Sequence, residues 1–420
     1  MSSPELHVLV LAGGESTRIR TGRPKALLDL CGRPLIAWVL SAASEVATGL
    51  RVLLLGPSHR EPIETWLQAS DCEGWEIAIQ PEANGTGDAV RCALEHLPET
   101  GRLLILCGDT PALQPETLAF LAQQENGAML SSLVEDPAGY GRLSRDEEGN
   151  LLGIVEEADC DEEALAIQEI NAGVYALDIA ALRKAIANLD SNNAQGEFYL
   201  TDAALAVLSE TDGAVVTLEG EDEILGVNTL VDHARVMRIL REWILAEHML
   251  AGVQVDDPAS SFIEHGVEIA PGARILPFTV IRKGCKIGAD CAVGPFTHLR
   301  GGTQMAAQSE LGNFVEAKNT EMGEGSKAKH LTYLGDTTVG ARANIGCGTI
   351  TANYDGKSKH RTQIGSKAFI GSGTVLVAPV KVGDGSTTGA GAVVLSNRDV
   401  PDGEVVIGVP AKSLDKSTKG

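Results

Sequence analysis

The stretch IAPGARILPFTVIRKGCKIGADCAVGPFTHL, from Ile269 to Leu299, carries an aliphatic residue at every sixth position. Neither an α-helix, at about 3.6 residues per turn, nor a simple alternating strand has this period. A six-residue period with frequent glycines is typical of short strands that turn at corners, so that each apolar side chain packs on the coil above. The sequence therefore predicts a parallel β-helix. The positions at this spacing are Ile269, Ile275, Ile281, Ile287, Val293, Leu299, Met305 and Leu311, and later Ile364, Ile370, Leu376, Val382, Thr388 and Val394.

One segment leaves this regular pattern. Thirteen positions separate Thr351 from Ile364, and residues 353–357 between them read Asn-Tyr-Asp-Gly-Lys. Polar residues around a glycine favour a loop, and surface loops on a rigid scaffold commonly carry function. We expect the chain to leave the wall of the β-helix at this point.

Upstream of the repeat the pattern changes twice. Between residues 230 and 250, apolar side chains recur at helical spacing, which predicts an amphipathic connecting helix. Before residue 230, apolar runs such as 52–55 and 103–106 alternate with amphipathic segments, and this order favours an α/β sheet. We therefore divide the sequence into an α/β domain over residues 1–229, a linker helix over 230–252, a β-helix over 253–412 and a polar tail over 413–420.

The first apolar run, Val8-Leu9-Val10, leads into Leu11-Ala12-Gly13-Gly14-Glu15-Ser16-Thr17-Arg18. Consecutive glycines let backbone N–H groups approach an anion closely, and Arg18 and Lys25 add positive charge beside that turn. A nucleoside triphosphate needs such donors, whereas a simple tight turn does not. In parallel sheets ligands bind beyond the carboxyl ends of the strands, where the Gly108-Asp109 turn is also expected. The sequence thus predicts a nucleotide-phosphate site.

The composition of the 420 residues limits the possible functions. A formal net charge of −23 argues against wrapping around DNA or RNA, because a polyanion would be repelled over most of the surface. An anionic small molecule must instead meet local basic side chains. The N-terminus lacks the charge pattern of a signal peptide, no apolar run is long enough to span a membrane, and the eight scattered cysteines favour reduced thiols. We expect a cytoplasmic protein.

A set of short motifs, in one order along nearly the whole chain, resembles the family of bifunctional bacterial enzymes that make UDP-N-acetylglucosamine. So many matches in one order are hard to obtain by chance. In the first half they are Gly13-Gly14 with Lys25, residues 80–87 (QPEANGTG), Gly108-Asp109, and residues 139–142 (GYGR), 153–156 (GIVE), 168–171 (QEIN), 193–197 (NAQGE) and 226–228 (GVN). In the second half they are residues 312–316 (GNFVE), 330–336 (HLTYLGD) and 353–356 (NYDG).

The resemblance implies an α/β Rossmann-like nucleotidyltransferase domain, then a left-handed parallel β-helix, and assembly as a homotrimer. It also implies two activities. One is acetylation of glucosamine 1-phosphate by acetyl-CoA, and the other is transfer of UMP from UTP to N-acetylglucosamine 1-phosphate with release of pyrophosphate. Mg²⁺ is the implied cofactor and acetyl-CoA a co-substrate. The implied partners are these small molecules, with no nucleic acid and no membrane.

The resemblance assigns roles to residues of the α/β domain. Positive charge stabilises a phosphoryl group in transfer, and hard oxygen donors suit Mg²⁺. The implied assignments are Lys25 and Arg18 for catalysis; Leu11, Ala12, Gly13, Gly14, Gln80, Gly85 and Thr86 for UTP; Gly141, Glu156, Asn171 and Asn228 for the sugar phosphate; and Asp109 with Asn228 for the metal.

Roles in the β-helix are assigned in the same way. An amine must be neutral when it attacks a thioester, so a base that titrates near the working pH is needed, and histidine is the natural choice. The resemblance implies His330 as this base, with Glu316 orienting its imidazole. It further implies Arg300, Lys318, Tyr333, Asn344 and Lys359 for the sugar phosphate and Asn353, Tyr354, Ser372 and Ala390 for acetyl-CoA.

Several positions depart from the family pattern. Asp88 stands where the family commonly has histidine, Glu15 replaces a basic residue and Cys107 an aromatic one, and Gly408 lies where a basic residue often contacts coenzyme A. Three alternatives therefore stay open. They are a monofunctional sugar-1-phosphate nucleotidyltransferase with the β-helix as a trimer scaffold, a related bifunctional enzyme with another sugar preference, and a nucleotide-sugar-sensing subunit.

Overall fold

A computed structural model of the protein describes residues 5–14, 18–19 and 21–413. The polar tail expected over 413–420 lies outside the described residues, apart from Ser413. Contacts divide the chain into two compact units between Ile239 and Leu240. The helix predicted over residues 230–250 is present as Leu230–Leu250, so this division falls inside it. Among the described helices, none combines the length and the apolar character that crossing a lipid bilayer requires.

The N-terminal unit contains strands that alternate with helices, as the sequence predicts. The strands are β1 (Leu6–Ala12), β2 (Asp29–Leu30), β3 (Arg33–Pro34), β4 (Arg51–Leu55), β5 (Glu76–Ile79), β6 (Arg102–Cys107), β7 (Ala128–Leu133), β8 (Arg142–Arg145), β9 (Leu151–Val155), β10 (Glu169–Asp178) and β11 (Ala214–Glu219). The helices are α1 (Leu35–Val46), α2 (Arg60–Gln68), α3 (Thr86–Leu94), α4 (Pro115–Ala122), α5 (Glu162–Leu165), α6 (Ile179–Ala187), α7 (Leu200–Thr211) and the connecting α8 (Leu230–Leu250).

These strands form a mixed sheet. In the described part of the chain they follow the order β11-β7-β10-β6-β1-β4-β5, and the β8–β9 hairpin pairs with β10. Strand β1 runs parallel to β4 and β6, whereas β10 runs antiparallel to β6 and β7. The predicted apolar runs 52–55 and 103–106 therefore lie in neighbours of β1, on either side of it.

Helices cover both faces of this sheet, which is why its central strands are apolar without alternation. Successive side chains of a strand point to opposite faces. Accordingly Val8 and Val10 of β1 pack in one core with residues of α1 and α4, while Leu9 packs in another with residues of α3, α6 and α7. The strands are thus held from both sides, and the turns at their carboxyl ends rest on a rigid base.

The C-terminal unit is a coil of short strands that pair in parallel, apart from its last pair, which is antiparallel, and in the described residues it has three faces. The first face contains β12 (Gln254–Val255), β15 (Arg274–Ile275), β18 (Ala292–Val293), β21 (Glu310–Asn313), β24 (Lys327–His330), β27 (Asn344–Ile345), β30 (Phe369–Ile370), β33 (Thr387–Thr388), β35 (Val405–Ile407) and β36 (Lys412–Ser413). The second contains β13 (Phe262–Ile263), β16 (Val280–Ile281), β19 (His298–Leu299), β22 (Glu316–Lys318), β25 (Tyr333–Gly335), β28 (Ile350–Ala352), β31 (Val375–Val377) and β34 (Val393–Val394). The third contains β14 (Glu268–Ile269), β17 (Lys286–Ile287), β20 (Gln304–Met305), β23 (Glu321–Met322), β26 (Thr337–Val339), β29 (Thr362–Ile364) and β32 (Val380–Val382).

We call the turns from the first to the second face the first edge, and the turns from the second to the third face the second edge. Most coils contain eighteen residues, as where Ile281 pairs with Leu299. Two successive coils, from Met305 to Met322 and from Met322 to Val339, contain seventeen. The coil from Thr351 to its partner Leu376 is longer because the predicted excursion leaves the second edge between β28 and β29. The strands above and below this excursion stay in register.

The repeated positions face the inside of the coil, as predicted. All of them are buried except Ile269, which is half-buried. On the first edge, Phe278, Phe296 and Phe314 adopt left-handed backbone conformations and stack their rings, with centroids 4.7 and 5.2 Å apart. The eight cysteines all lie in the described residues, and none of them forms a disulfide.

Leu299 tests the stacking of the coils, because it is fully buried and lies between Ile281 and Ala317 of the neighbouring coils. We predict that Leu299→Ala lowers the free energy of unfolding of the β-helix by about 2–5 kcal/mol, since truncation leaves a cavity that the coil cannot close. Hydrogen exchange of the β-helix amides in the full chain measures this loss. The exposed Gln304→Ala in the same coil is the control, with an expected change within about 0.5 kcal/mol. Equal losses in both variants would contradict the stacked arrangement.

Candidate active sites

The double-glycine turn and the Asp109 turn lie side by side at the carboxyl edge of the sheet, as predicted. Strands β1 and β6 are neighbours, with Leu11 opposite Cys107. The Gly108 N–H donates to the Leu11 carbonyl at 2.8 Å, which joins the two turns. A Cβ at Gly108 would lie 2.9 Å from that of Ala12, so only glycine allows this approach.

A cavity of about 340 Å³ opens beside these turns. It brings together all the residues predicted to bind UTP, along with Lys25 and Asp109. It also contains residues to which the sequence analysis gave no role, among them His59 and Glu197. The lining residues are Leu11, Ala12, Gly13, Gly14, Lys25, Ala26, Leu54, His59, Ile63, Gln80, Ala83, Gly85, Thr86, Ala89, Cys107, Gly108, Asp109 and Glu197.

The cations and the proposed metal ligands of this site contact each other. Lys25 Nζ lies 2.7 Å from Asp109 Oδ2. Arg18 Nη2 donates to Asn228 Oδ1 at 3.0 Å. Asn228 and Asp109 approach the same backbone position, because a Cβ on Gly226 would lie 3.5 Å from Asn228 Nδ2 and 4.0 Å from Asp109 Oδ1. Glu15, which departs from the family pattern, and the adjacent Ser16 and Thr17 lie outside the described residues.

The residues predicted to hold the sugar form a cluster of their own. The Asn171 N–H donates to the Gly141 carbonyl at 2.9 Å, and Glu156 Oε2 would be 3.5 Å from a Cβ on Gly141. The Thr201 hydroxyl donates to Glu156 at 3.1 Å. Burial raises the pKa of Glu156, although the hydrogen bond from Thr201 opposes this shift. The cluster offers a polar, half-enclosed surface suited to hydroxyl and amide groups.

Cys107 connects the two parts of this domain's site. Its thiol contacts the Gly173 carbonyl at 3.6 Å, and it feels the charges of both Asp109 and Glu156. Burial, reinforced by Asp109, raises the pKa of the Cys107 thiol to about 12. At neutral pH it is therefore a small uncharged group within the cavity wall.

In the β-helix, three predicted phosphate ligands converge on the second edge. The ammonium of Lys359, and then the guanidinium of Arg300, lower the pKa of Lys318 by placing positive charge beside it. Asp336 lies within this group. Although burial opposes its ionisation, hydrogen bonds from Asn319 and Asn353 and the charges of the two lysines lower its pKa.

Tyr333 and Asn353 belong to the same cluster. A Cβ on Gly335 would lie 2.5 Å from the Tyr333 hydroxyl oxygen and 2.7 Å from Asn353 Nδ2, so both side chains border this glycine. The neighbouring Tyr354 is exposed, and its hydroxyl donates to the Gly356 carbonyl at 2.8 Å. The excursion over residues 353–361 thus starts at the cation cluster and carries Lys359 back to it.

The predicted base lies on the first edge. His330 ends β24 with its side chain exposed on the outside of the coil. Turns of successive coils stack below it through backbone hydrogen bonds from Gly348 to Leu331, Gly373 to Cys347 and Gly391 to Ser372, at 2.7–3.1 Å. His330, Ser372 and Ala390 therefore follow one edge, where a long thin ligand can lie along the turns.

One chain does not bring all the predicted acetyltransferase residues together. His330, Ser372 and Ala390 follow the first edge, whereas Arg300, Lys318, Lys359 and Asn353 follow the second. Asn344 lies exposed on the first face, in β27. The expected pairing of Glu316 with His330 is not formed, because the Glu316 carboxylate pairs with Arg300 at 3.0 Å instead. The guanidinium sits one coil away on the same face and supplies the stronger, charged partner.

The sequence analysis gave no role to His59, Glu197 or Asp336. Glu197 and Asp336 both lie inside stretches that carry the resemblance, so their position in these motifs could have identified their carboxylates as candidate site residues. His59 lies in no such stretch, and its Nε2 is buried without a hydrogen-bond partner among the described residues. Nothing in the sequence around it marks it as part of a pocket.

Comparisons with known proteins agree with this arrangement. Residues 8–145 match the family model of MobA-like NTP transferase domains, and residues 266–301 and 361–396 match that of bacterial transferase hexapeptides. A nucleotide site at the strand ends of an α/β domain, followed by a hexapeptide β-helix, defines a two-domain transferase. The predicted fold class, a Rossmann-like nucleotidyltransferase domain followed by a left-handed parallel β-helix, is confirmed.

Full-length relatives identify the family. The chain is 42% identical over 440 residues to the bifunctional protein GlmU of Pelobacter propionicus, with 95% of each chain covered. It is 40% identical over 440 residues to that of Trichlorobacter lovleyi, again with 95% of each covered. To that of Caldanaerobacter subterraneus it is 38% identical over 457 residues, covering 99% of this chain and 97% of the relative. The chain therefore belongs to the family of bifunctional GlmU proteins.

The family and the domain matches establish the class of enzyme. The protein is a nucleotidyltransferase and an acetyltransferase, and its two activities, uridylyl transfer and acetyl transfer, produce UDP-N-acetylglucosamine. The bifunctional interpretation is thus confirmed over the scaffold and sensing alternatives. Nucleotidyl transfer in this family depends on a divalent metal, and acetyl transfer uses acetyl-CoA.

Cys107 tests the burial of the nucleotide-site wall. With a pKa of about 12, roughly one thiol in ten thousand is ionised at pH 8, and only the thiolate is alkylated. We predict that iodoacetamide modifies Cys107 in the folded chain at least about 100-fold more slowly than in the urea-unfolded chain, where the pKa is ordinary. Mass spectrometry of the peptide that contains Cys107 gives both rates. Equal rates would show that the thiol is accessible and ionises freely.

Proposed function

We propose that the N-terminal unit transfers UMP from UTP to N-acetylglucosamine 1-phosphate. A phosphate oxygen of the sugar phosphate attacks the α-phosphorus, the bond from that phosphorus to the β-phosphate oxygen breaks, and pyrophosphate leaves. This chemistry needs positioning and charge neutralisation more than covalent help from the protein. The observation that carries the proposal is the 2.7 Å contact of Lys25 with Asp109 inside the cavity beside Gly13-Gly14.

We propose Mg²⁺ as the divalent metal, held by Asp109 and Asn228. Their donor set suits the ion, because Mg²⁺ prefers oxygen ligands and keeps several waters, so one carboxylate and one amide oxygen are sufficient protein ligands. When bound, the ion neutralises charge on the phosphates of UTP.

The contacts of the two cations suggest how UTP enters. Lys25 contacts the oxygen of Asp109, and Arg18 donates to the oxygen of Asn228. Phosphate oxygens compete for the same cations, since charge-assisted bonds to phosphate are strong. We propose that UTP draws Lys25 and Arg18 onto its phosphates, with the Gly13 and Gly14 amides as further donors. The oxygens of Asp109 and Asn228 then become available to the metal.

Recognition of the base and of the sugar is assigned to separate surfaces. Gln80, Gly85 and Thr86 line the cavity and are proposed to contact the uracil. Gly141, Glu156 and Asn171 are proposed to hold the N-acetylglucosamine, since Glu156 and Asn171 both border Gly141. The raised pKa of Glu156 favours contacts in which a hydroxyl or amide donor of the sugar offsets the cost of burying its charge.

The β-helix is proposed to transfer the acetyl group. The neutral amine of glucosamine 1-phosphate attacks the thioester carbonyl of acetyl-CoA, a carbon–nitrogen bond forms, and the carbon–sulfur bond breaks to release coenzyme A. His330 accepts the proton that the amine loses. Its exposed position on the first edge leaves the imidazole open to substrate, and Asn353, Tyr354, Ser372 and Ala390 are proposed to contact acetyl-CoA.

The cations of the second edge are proposed to bind the phosphate of glucosamine 1-phosphate. Arg300, Lys318 and Lys359 repel one another, as the lowered pKa of Lys318 shows, and a phosphate dianion relieves that repulsion. Tyr333 and Asn344 are proposed to contact the sugar. In a chain with a net charge of −23 this cluster is a local attractive region for an anion.

We propose that the chain acts as a homotrimer. Hexapeptide repeats are consistent with oligomerisation, and the separation of His330 from the cation cluster on two edges of one coil supports a site completed by another copy. We further propose the domain organisation 1–229, 230–252 and 253–412, and a cytoplasmic location, where UTP and acetyl-CoA are made and used.

Two substitutions separate the activities. We predict that His330→Ala lowers the release of coenzyme A thiol from acetyl-CoA and glucosamine 1-phosphate by about 100-fold or more, because the general base is lost. Asp109→Ala is expected to lower pyrophosphate release from UTP and N-acetylglucosamine 1-phosphate by a similar factor. The substitution removes a proposed ligand of Mg²⁺, and without the ion the charge on the phosphates is no longer neutralised. Each variant should keep the other activity and so acts as the control for the other. Loss of both activities in either folded variant would refute independent sites.

The cation cluster makes a further prediction. Lys318→Ala is expected to raise the KM for glucosamine 1-phosphate about 10-fold, because one charged contact to phosphate is lost. Thiol release with glucosamine, which lacks the phosphate, should change little. Lys381→Ala, an exposed lysine on the third face, is the matched control for a change in net charge. An equal effect of both substitutions would assign the loss to long-range charge and not to the cluster.

A further inference from the structure

The orientation of the Gln80 side-chain amide is set by its neighbours. Gln80 Nε2 donates to the Gly85 carbonyl at 3.0 Å and to Asp88 Oδ2 at 3.2 Å. A side-chain amide nitrogen has two N–H donors, so both are used within the protein. The remaining polar atom, Oε1, can only accept a hydrogen bond.

Chemistry excludes the flipped amide. The partners of the amide nitrogen are a backbone carbonyl and a carboxylate, and neither can donate a hydrogen bond when the carboxylate is ionised. With the amide reversed, Oε1 would face two acceptors in a buried position. Gln80 and Asp88 are both buried, so this mismatch would not be relieved by water.

Asp88 is itself held in place. Its other oxygen, Oδ1, accepts from Arg91 Nη1 at 3.1 Å, so each carboxylate oxygen has one partner. The residue lies in the first turn of α3, where the N-terminal end of a helix stabilises a negative charge. The carboxylate is therefore a fixed acceptor behind Gln80, and Asp88 is not itself among the residues that line the cavity.

The free oxygen of Gln80 lies on the cavity side. A Cβ on Gly13 would be 3.1 Å from Gln80 Oε1, and both residues line the nucleotide cavity. The pocket therefore presents Gln80 as an acceptor only, next to the double-glycine turn.

We propose that Asp88 is a positioning residue that selects nucleobases with a ring N–H donor. By holding the Gln80 amide in one orientation, it makes the pocket accept the imide N–H of uracil or thymine and reject cytosine, whose ring nitrogen at that place is an acceptor. The inference rests on the proposed binding of UTP with its base beside Gln80. Sites built around a hydrogen bond to the substrate discriminate strongly against analogues that cannot form it.

Steady-state pyrophosphate release with UTP and with CTP tests this role in the full chain. In Asp88→Ala the amide keeps one partner, Gly85, and the reversed orientation faces one acceptor instead of two, so the ratio of kcat/KM for UTP to that for CTP should fall about 10-fold or more. Arg91→Ala is the matched control. The Asp88 carboxylate then loses its other partner but still accepts from Gln80, and the ratio should stay within about twofold of that of the unsubstituted chain. Acetyl transfer should be unchanged in both variants, which reports that the chain has folded.

The outcomes are distinguishable. An unchanged UTP-to-CTP ratio in an active Asp88→Ala variant would overturn the positioning role, because a purely structural residue would lower both rates together. If Asp88→Ala does not fold, Asp88→Ser replaces it, since its hydroxyl is too short to reach the amide and the same loss of discrimination is expected. Absence of pyrophosphate release with UTP in the unsubstituted chain would instead refute the proposed function on which the inference rests.

Discussion

Placing positive charge within an acidic chain is the constraint on which both sites depend. The chain has 34 basic side chains against 57 acidic ones, and the cations assigned to phosphates lie beside oxygen atoms of the protein. Lys25 contacts Asp109, Arg300 contacts Glu316, and Asp336 feels the charges of Lys318 and Lys359. These partners hold long, flexible side chains in position, and a phosphate dianion is a stronger partner than any of them. Each site can therefore exchange an internal contact for one with substrate.

Much of the fold could be predicted because its periods are simple. The six-residue spacing predicted which side chains point inward, and the alternation of apolar runs and helices predicted the α/β sheet. The two coils of seventeen residues, from Met305 to Met322 and from Met322 to Val339, were not predictable, because a corner can lose one residue while the strands on either side stay paired. The antiparallel direction of β10 and the position of the β8–β9 hairpin depend on where the chain returns to the sheet. The spacing of apolar residues along the sequence carries no such information.

For the candidate sites, the sequence predicted which residues lie close together but not how their side chains pair. Motifs at strand ends predicted that Gly13 and Asp109 would meet, since parallel strands bring their carboxyl ends together, and the family resemblance added Gln80 to the same site. Pairings between individual side chains could not be predicted from these motifs. Glu316 contacts Arg300 and not His330 because neighbouring coils align them on one face, and the role inferred for Asp88 depends on which atom of the Gln80 amide faces it. Such details follow from rotamers and registers that only coordinates show.

The excursion at residues 353–361 has a consequence for how this architecture can diversify. It leaves and rejoins the β-helix at the second edge while the coils before and after it remain stacked, with Thr351 opposite Leu376. The length of the excursion therefore has little effect on the stability of the β-helix, because each coil packs only on its neighbours. Loops at such a corner can therefore be lengthened or replaced, and can acquire new ligand-binding residues, without a change in the stacked strands that carry them.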